Sequence, residues 1–397
     1  MTWMVTPRIG PSRARSDGAL GGNTASKSRP RAFNDVRNCA RNQRMPVVAY
    51  LNAIGTAVPP HDVHQHFIDW ANTRVTPEAR GLFRRMTARA GISHRWSVLG
   101  GTDGGSAIDP GGFYGAALPG TAARMRLYAA EAPALALAAI AALGDPVPEG
   151  ITHLVVASCT GFVAPGIDQI IARRLGLASS VERLLIGFMG CYAAVVALRS
   201  AGHIVRSQPA ARVLVVTVEL SSLHLQDDSE VAPLLAMLQF GDGAAAALVS
   251  ATPAGIALGE PFAATLTESE ELIRWTITDT GFAMHLDGAV PGRIGDALTD
   301  PAFVAAVTGG QAPDSLFWAV HAGGRSILDA VQSGLALPKE ALDPSRRVLA
   351  DYGNMSSATL MFVLARLLAA PPDQPEGVAL AFGPGLAAEG LALRMVR

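Results

Sequence analysis

Three segments of the sequence place a chemically capable side chain at a glycine-marked bend in apolar surroundings. They are GFMGCYAAV around Cys191, FWAVHAGGRS around His321 and LADYGNMSSATL around Asn354. A cysteine at a helix N-terminus gains from unpaired backbone N–H groups, which favour thiolate over thiol. A thiolate attacks a thioester carbonyl, and histidine and asparagine side chains donate hydrogen bonds to the oxygen that becomes negative. The three segments together therefore indicate acyl transfer with a cysteine nucleophile.

Each of these residues also has an ordinary structural interpretation. A free cysteine is commonly a small core residue, and asparagine commonly caps a helix. All three nevertheless follow predicted strands and enter predicted helices, which is where the sites of α/β proteins assemble. If a malonyl thioester entered such a site, the same two donors would stabilise the enolate left by loss of carbon dioxide. That chemistry is decarboxylative carbon–carbon bond formation.

The elements that must position these residues alternate between short apolar runs and helical stretches, as in α/β layering. Several apolar runs have no polar face, so helices are expected on both faces of the sheet. Strands are predicted over residues 153–159, 183–189, 212–220, 244–251, 315–322, 347–352 and 377–383. Helices are predicted over residues 76–91 and 122–143, after Cys191, and over 321–335 and 356–370. The similarity of FGDGAAAALV to FGPGLAAEGLAL indicates two similar halves.

Composition argues against several classes of protein. The chain has 397 residues, is 49% hydrophobic and 16% charged, and carries a net charge of -1, which supports a large core. No dense basic tract follows the N-terminal region, so nucleic-acid binding is not expected. No apolar run approaches the roughly 18 residues of a membrane span. Three cysteines without paired spacing, Cys39, Cys159 and Cys191, favour a reducing cytoplasm over a disulfide scaffold.

Two further stretches have simple interpretations. Residues 1–45 contain eight arginines and no apolar periodicity, which predicts a disordered extension ahead of a natural start at Met45. The tract HDVHQHF at 61–67 has three histidines, but their spacing fits no single helix face and no acidic ligand set accompanies them. Zinc binding is therefore disfavoured, and no metal site is predicted.

From Met45 to Arg397 the chain resembles the type III polyketide synthases, the chalcone-synthase-like family with a thiolase fold. The resemblance implies an α/β, five-layered αβαβα fold of two similar halves. Residues 46–255 would carry the nucleophilic cysteine, and residues 256–397 would carry the catalytic histidine and asparagine. It also implies a homodimer that uses acyl-CoA and malonyl-CoA directly and has no intrinsic cofactor. The motifs that carry it are GFMGCYAAV, FGDGAAAALV, MHLDGAVPG, HAGGRSILD, GNMSSATLMF and FGPGL.

The resemblance assigns roles residue by residue. Cys191 would be the nucleophile and acyl carrier, with His321 and Asn354 as its thiolate partner and as oxyanion or enolate donors. Phe240 matches an aromatic gatekeeper between the CoA tunnel and the reaction cavity. Met284 occupies the other gatekeeper position, where plant enzymes have phenylalanine, and its flexible thioether would make a softer wall.

A basic helix is the predicted binding site for coenzyme A. In GLFRRMTARAG, Arg85 and Arg89 are four residues apart on one helical face, with Arg84 beside them. Without the resemblance, a solvated basic face would explain them equally well. The family places cationic contacts to CoA on this helix, so the three arginines are predicted to clamp the adenosine phosphates.

The resemblance also places five further residues along the cavity wall: Cys159, Ser221, His224, Trp275 and Ser356. We expect Cys159 to have a packing role, with a second reactive thiol as the alternative. Trp275 stands where plant enzymes have glycine, which predicts a bacterial-type product rather than a flavonoid. An alkylpyrone, an alkylresorcinol or a small polyhydroxylated aromatic would fit.

Two other functions remain open at this point. The initiating ketoacyl synthase of fatty-acid synthesis also uses Cys, His and Asn, although FGPGL and the GNMSS context favour the polyketide interpretation. A non-catalytic acyl-CoA-binding relative would require the loss of a catalytic residue. All three residues are present in this sequence.

Overall fold

The computed structural model describes residues 47–101, 105–144 and 149–396, so the prediction for residues 1–45 lies outside the described residues. The strands are β1 (Ala49–Ala57), β2 (His61–Asp62), β3 (Trp96–Ser97), β4 (His153–Ser158), β5 (Glu182–Gly187), β6 (Val213–Leu220), β7 (Asp242–Ser250), β8 (Ile256–Thr265), β9 (Ile273–Thr278), β10 (Gly281–Leu286), β11 (Phe317–Val320), β12 (Glu376–Gly383) and β13 (Ala387–Met395). The helices are α1 (His64–Arg74), α2 (Arg80–Ala88), α3 (Thr121–Ala141), α4 (Ile167–Arg174), α5 (Ala193–Ser207), α6 (Val231–Gln239), α7 (Val290–Ala297), α8 (Pro301–Thr308), α9 (Arg325–Gly334), α10 (Asp343–Tyr352) and α11 (Ser357–Ala369).

A mixed sheet of nine strands runs through the described residues in the order β11-β12-β13-β8-β1-β7-β6-β4-β5. The strands β1 and β4 to β7 precede residue 255, and β8 and β11 to β13 follow it. The two groups meet where β1 pairs antiparallel with β8, from Ala49 opposite Leu258 to Leu51 opposite Ile256. The pairing of β1 with β8 is thus the one place in this sheet where the two groups of strands are joined. The predicted division into two halves at residue 255 stays a proposal.

Alternate side chains of the buried strands pack into two different hydrophobic cores, one on each face of the sheet. In β6, Val213 and Val215 pack into the core that contains α5 and α11, whereas Leu214 and Val216 pack into the core that contains α3. Successive side chains of a strand point to opposite faces, so a run that is apolar on both faces, such as VLVV at the start of β6, requires cover on both. The apolar run of β6 therefore lies between α3 on one side and α5 with α11 on the other.

The second group of strands repeats this arrangement. In β11, Phe317 and Ala319 belong to the core of α5 and α11, whereas Trp318 and Val320 belong to the core that contains α9. Helices α5 and α11 contact each other, so they form a middle layer between the two groups of strands. The order of layers is α3, strands, α5 with α11, strands and α9, which is the five-layered arrangement expected from the resemblance.

One predicted strand is wrong. Residues 347–352 form the end of α10, not a strand. The buried residues of α10 are Ser345, Val348 and Leu349, which have the i, i+3, i+4 spacing of one helix face, and a proline occupies the first turn. The six-residue window RVLADY concealed this periodicity. The other six predicted strands and the five predicted helices are confirmed, with ends that shift by up to four residues.

Candidate active site

Cys191 lies at a sharp bend between β5 and α5. The chain adopts positive φ at Phe188 (62°) and at Gly190 (65°), and a short 3-10 turn over Gly190–Tyr192 leads into the helix. A Cβ atom at Gly190 would lie 2.7 Å from Cδ of Pro384. Glycine is therefore needed here both for its backbone conformation and for the close approach of the FGPGL segment. The bend leaves the Cys191 side chain buried, with 7% of its surface exposed.

The structure brings Cys191 and Asn354 together and ties both to the loop that carries His321. The Cys191 Sγ atom lies 3.9 Å from Nδ2 of Asn354 and 4.0 Å from its Oδ1. Nδ2 also donates a hydrogen bond of 3.2 Å to the carbonyl of Gly323, two residues after His321. Residues 163 positions apart in sequence thus share one buried site.

His321 is buried in an unusual state. Both of its ring nitrogens are inaccessible to water and lack a hydrogen-bond partner among the described residues. Burial lowers the pKa of His321 to about 3, so the imidazole is neutral near pH 7. Buried polar atoms are nearly always paired in folded proteins. The unpaired imidazole of His321 is therefore available to an incoming substrate.

The Cys191 thiol is also neutral at rest. Burial raises the pKa of Cys191 to about 11, while hydrogen bonds with Ser356 and Asn354 act in the opposite direction. A protonated thiol attacks only when a neighbouring base accepts its proton. The neutral imidazole of His321 has free acceptor capacity, and its loop is joined to the Asn354 amide that faces the thiol.

Asn354 does not follow a strand, contrary to the prediction. It follows α10, and its backbone pairs with the segment around Phe240. The Asn354 N–H donates to the Gln239 carbonyl at 2.8 Å, and the Gly241 N–H donates to the Asn354 carbonyl at 3.0 Å. The side-chain Oδ1 accepts a 2.8 Å hydrogen bond from the Ser356 N–H. Both ends of Asn354 are therefore fixed, and its amide faces the thiol.

A cavity of about 360 Å³ adjoins this site. The Ser356 hydroxyl lines the cavity, lies 3.2 Å from the Cys159 Sγ atom and hydrogen-bonds with the Cys191 thiol. Ser356 has φ 47°, a strained conformation for a residue with a side chain. The seven wall residues named from the sequence all line this cavity: Cys159, Ser221, His224, Phe240, Trp275, Met284 and Ser356.

His224 forms a fixed part of the wall. Its Nε2 atom lies 2.7 Å from the Thr160 carbonyl, and its Nδ1 accepts a 3.1 Å hydrogen bond from the Phe282 N–H. The ring stacks on Phe282 at 4.1 Å, and Phe282 stacks on Trp275 at 5.1 Å. Burial lowers the pKa of His224 to about 4. With both nitrogens bonded and the ring neutral, His224 is suited to shaping the cavity rather than to proton transfer.

Glu219 was not identified from the sequence, although it hydrogen-bonds to the wall residues Cys159 and Thr160. Its buried carboxylate accepts hydrogen bonds from the Cys159 N–H at 3.0 Å, the Thr160 hydroxyl at 2.9 Å, the Cys159 thiol and the Ser357 hydroxyl. Burial and the Glu219 charge raise the pKa of Cys159 well above its usual value. Cys159 is therefore a protonated hydrogen-bond donor. A charged residue inside the apolar run VLVVTVEL was the available signal.

The three arginines predicted to bind CoA are exposed on and just after α2. None of them lines the cavity among the described residues. Helix α2 packs against α6, whose Pro233 and Met237 do line it. The basic side chains Arg84, Arg85 and Arg89 therefore project from a helix one layer outside the cavity.

The histidine tract is divided between two elements. His61 lies in β2, and His64 is buried at the start of α1. Among the described residues, no group of three or more His, Cys, Asp or Glu side chains is placed to hold a metal ion. No helix in the described ranges is long and apolar enough to cross a membrane.

Comparisons with known proteins agree with this geometry. The family model for the N-terminal domain of chalcone and stilbene synthases matches residues 36–253, and the model for their C-terminal domain matches residues 261–397. Bisdemethoxycurcumin synthase of Oryza sativa subsp. japonica is 36% identical over 381 residues, which span 89% of this chain and 94% of that enzyme.

Solved structures show the same relationship. The C-terminal type III polyketide synthase domain of Steely1 from Dictyostelium superposes with a TM-score of 0.79 at 25% identity, over 88% of this chain and all of that one. PKS-I from the brown alga Ectocarpus siliculosus superposes with a TM-score of 0.79 at 29% identity, over 89% of this chain and all of that one. The chain therefore belongs to the chalcone and stilbene synthase family of type III polyketide synthases and has their thiolase fold.

Proposed function

We propose that this protein loads an acyl-CoA starter on Cys191, extends it with malonyl-CoA and cyclises the product in the adjoining cavity. The observation that carries the proposal is the buried set of Cys191, His321 and Asn354, in which the histidine has both nitrogens free among the described residues. A buried, unpaired donor has no reason to persist unless an incoming group uses it. The substrates would be CoA thioesters, and no intrinsic cofactor takes part in the proposed steps.

The chemistry follows from the resting state of the site. The imidazole of His321 accepts the Cys191 proton as sulfur attacks the starter carbonyl, and the proton leaves with coenzyme A. Asn354 Nδ2 and the imidazole N–H then face the thioester oxygen of malonyl-CoA. Loss of carbon dioxide leaves an enolate on that oxygen, which these donors stabilise. The enolate carbon attacks the cysteine-bound acyl group and the Cys191 sulfur leaves. The longer chain, now a CoA thioester, is then transferred back to the Cys191 sulfur with release of coenzyme A, ready for the next extension.

The binding of substrate would divide between two regions. The exposed basic side chains of Arg84, Arg85 and Arg89 suit the phosphates of CoA, since guanidinium groups bind phosphate through paired hydrogen bonds. Phe240 and Met284 would stand between them and the cavity. We propose an alkylpyrone, an alkylresorcinol or a similar bacterial-type polyketide as the product, because Trp275 occupies wall space beside Phe282.

We further propose that the enzyme is a cytoplasmic homodimer. Strand β5 lies at the end of the sheet, and Leu184 and Leu185 on it are 42% and 45% exposed. Phe162 and Phe188 are exposed as well and stack on each other at 6.4 Å. An exposed apolar edge strand is a surface that a second chain covers. A monomeric mass from light scattering at micromolar concentration would contradict the dimer.

The direct test is incubation with malonyl-CoA and a series of short, long and aromatic acyl-CoAs, followed by mass spectrometry. We expect polyketide products with wild-type enzyme and none with Cys191→Ala. Turnover that requires malonyl-carrier protein, with malonyl-CoA inert, would identify an initiating ketoacyl synthase instead. Unchanged turnover in Cys191→Ala would remove the catalytic assignment.

A further inference from the structure

Arg95 is a buried cation at the wall of the cavity that no step above uses. Only 3% of its surface is exposed. Its Nη1 donates to the Phe240 carbonyl at 2.8 Å and to the Met237 carbonyl at 3.2 Å. Its Nε donates to Nδ1 of His64 at 3.1 Å, and its guanidinium lies 4.8 Å above the Phe67 ring. One side chain thus joins α1 to the last turn of α6.

The carbonyl that Arg95 holds belongs to the segment that fixes Asn354. Residues 239 and 241 exchange backbone hydrogen bonds with Asn354, on either side of Phe240. The packing is close, because a Cβ atom at Gly353 would lie 2.8 Å from Cγ of Arg95. A displacement of the Arg95 side chain would therefore move both the Phe240 backbone and the loop that begins at Gly353.

The opposite side of Arg95 is also fixed. The Asp62 carboxylate accepts hydrogen bonds from the backbone N–H groups of Arg95 and His64 and lies 2.6 Å from Nδ1 of His94. Burial and the Arg95 charge lower the pKa of His64 to about 4, so its Nδ1 remains an acceptor near pH 7. Asp242 is the other acid that acts on Arg95 through its charge.

This arrangement is costly for stability alone. Burial lowers the pKa of Arg95 to about 10, Nη2 has no hydrogen-bond partner among the described residues, and no carboxylate there lies within 4.0 Å of the guanidinium. A buried charge without a close counter-ion is less stable than an apolar side chain of similar volume. The carbonyl contacts of Arg95 therefore require a reason beyond folding.

We propose that Arg95 is a positioning residue for the decarboxylation of malonyl-CoA. By holding the Phe240 carbonyl, it fixes the aromatic ring at the cavity and, through the paired backbone, the Asn354 amide at the reacting oxygen. The inference rests on the proposed role of Asn354. The reactivity of the Cys191 thiol is a partly independent property, because its proposed proton acceptor is His321, whereas Asn354 makes only a long contact of 3.9 Å with the sulfur. The two properties can therefore be measured separately.

The test compares Arg95→Met with Arg206→Met. Arg206 likewise donates to a backbone carbonyl, that of Leu258 at 3.2 Å, but it lies in the last turn of α5, about 20 Å along the helix from Cys191. We measure release of carbon dioxide from malonyl-CoA and the rate of Cys191 alkylation by iodoacetamide. Arg95→Met is expected to lower the kcat of decarboxylation by about tenfold or more, with alkylation within about twofold of wild type. Arg206→Met is expected to change neither.

Equal losses of decarboxylation and alkylation in Arg95→Met would mean general disorder of the site and would overturn the inference, as would unchanged decarboxylation. If thermal melting shows that Arg95→Met does not fold, Arg95→Lys replaces it. A single ammonium cannot hold two carbonyls and His64 in one plane, so we expect decarboxylation to fall by about threefold or more. Wild-type decarboxylation by folded Arg95→Lys would overturn the inference. Failure of the wild-type enzyme to decarboxylate malonyl-CoA would instead contradict the proposed function.

Discussion

The contact between Gly190 and Pro384 allows a quantitative test of how Cys191 is positioned. Substitution Gly190→Ala places a side chain at φ 65°, which costs about 1–2 kcal/mol in the left-handed region. The new Cβ would also lie 2.7 Å from Cδ and 2.8 Å from Cγ of Pro384. Forced overpacking of this kind costs about 1–3 kcal/mol more. We therefore expect the free energy of unfolding to fall by about 2–5 kcal/mol.

Activity should fall as well, because Cys191 is the next residue. Restoring an ordinary 3.4 Å separation from a 2.7 Å contact requires a movement of about 0.7 Å. A misplacement of about 1 Å at a reacting group costs roughly 100-fold in rate. We expect at least a tenfold lower rate of Cys191 acylation, measured by intact mass after mixing with an acyl-CoA.

The chain offers a matched control and a rescue. Gly176 has φ 64°, and a Cβ atom there would have no neighbour within 4 Å. Gly176→Ala is therefore destabilised only by its left-handed backbone conformation. In the double variant Gly190→Ala/Pro384→Ala, the ring atoms that obstruct the Cβ are absent. In urea unfolding, we expect the double variant to be about 1–3 kcal/mol more stable than the sum of the two single changes predicts. Equal costs for Gly176→Ala and Gly190→Ala, or no coupling with Pro384, would refute the packing argument.

Three other results are expected. The variant Cys159→Ala should still form the acyl-enzyme on Cys191, as measured by intact mass. Absence of acylation in this variant would make Cys159 a second functional thiol. Burial raises the pKa of Asp242 from 3.8 to about 6, so between these pH values the folded protein holds a proton that the unfolded chain has released. The protonated Asp242 therefore contributes roughly 3 kcal/mol to the free energy of unfolding below about pH 4, and this contribution is lost as pH rises to about 6. The free energy of unfolding in urea should fall with pH across this range in the wild type, and this fall should be absent in Asp242→Asn. Trp275→Gly removes a wall residue stacked on Phe282 and should give products with more malonyl units by mass spectrometry, whereas unchanged chain lengths would contradict a limiting role.

Local pattern was sufficient for much of the fold. The run VLVV at the start of β6 is apolar on both faces, which by itself indicates a strand between two layers of helices. The prediction of a strand over RVLADY was wrong because a short apolar run within six residues does not distinguish a strand from the last turns of a helix. Pro344 and Ser345, which complete the helical pattern with Val348 and Leu349, lay outside that window.

The sequence by itself determined the acyl-transfer chemistry, because a cysteine, a histidine and an asparagine at glycine-marked bends are a set of side chains that few other reactions need. It also determined the family, through motifs spread along the chain. Only the tertiary structure decided how the site is supported. Arg95 hydrogen-bonds to the Phe240 carbonyl, 145 residues away in sequence, and Glu219 accepts a hydrogen bond from Ser357, 138 residues away. Such contacts depend on the packing of distant layers, and neither residue type nor local spacing encodes which buried charge reaches which backbone group.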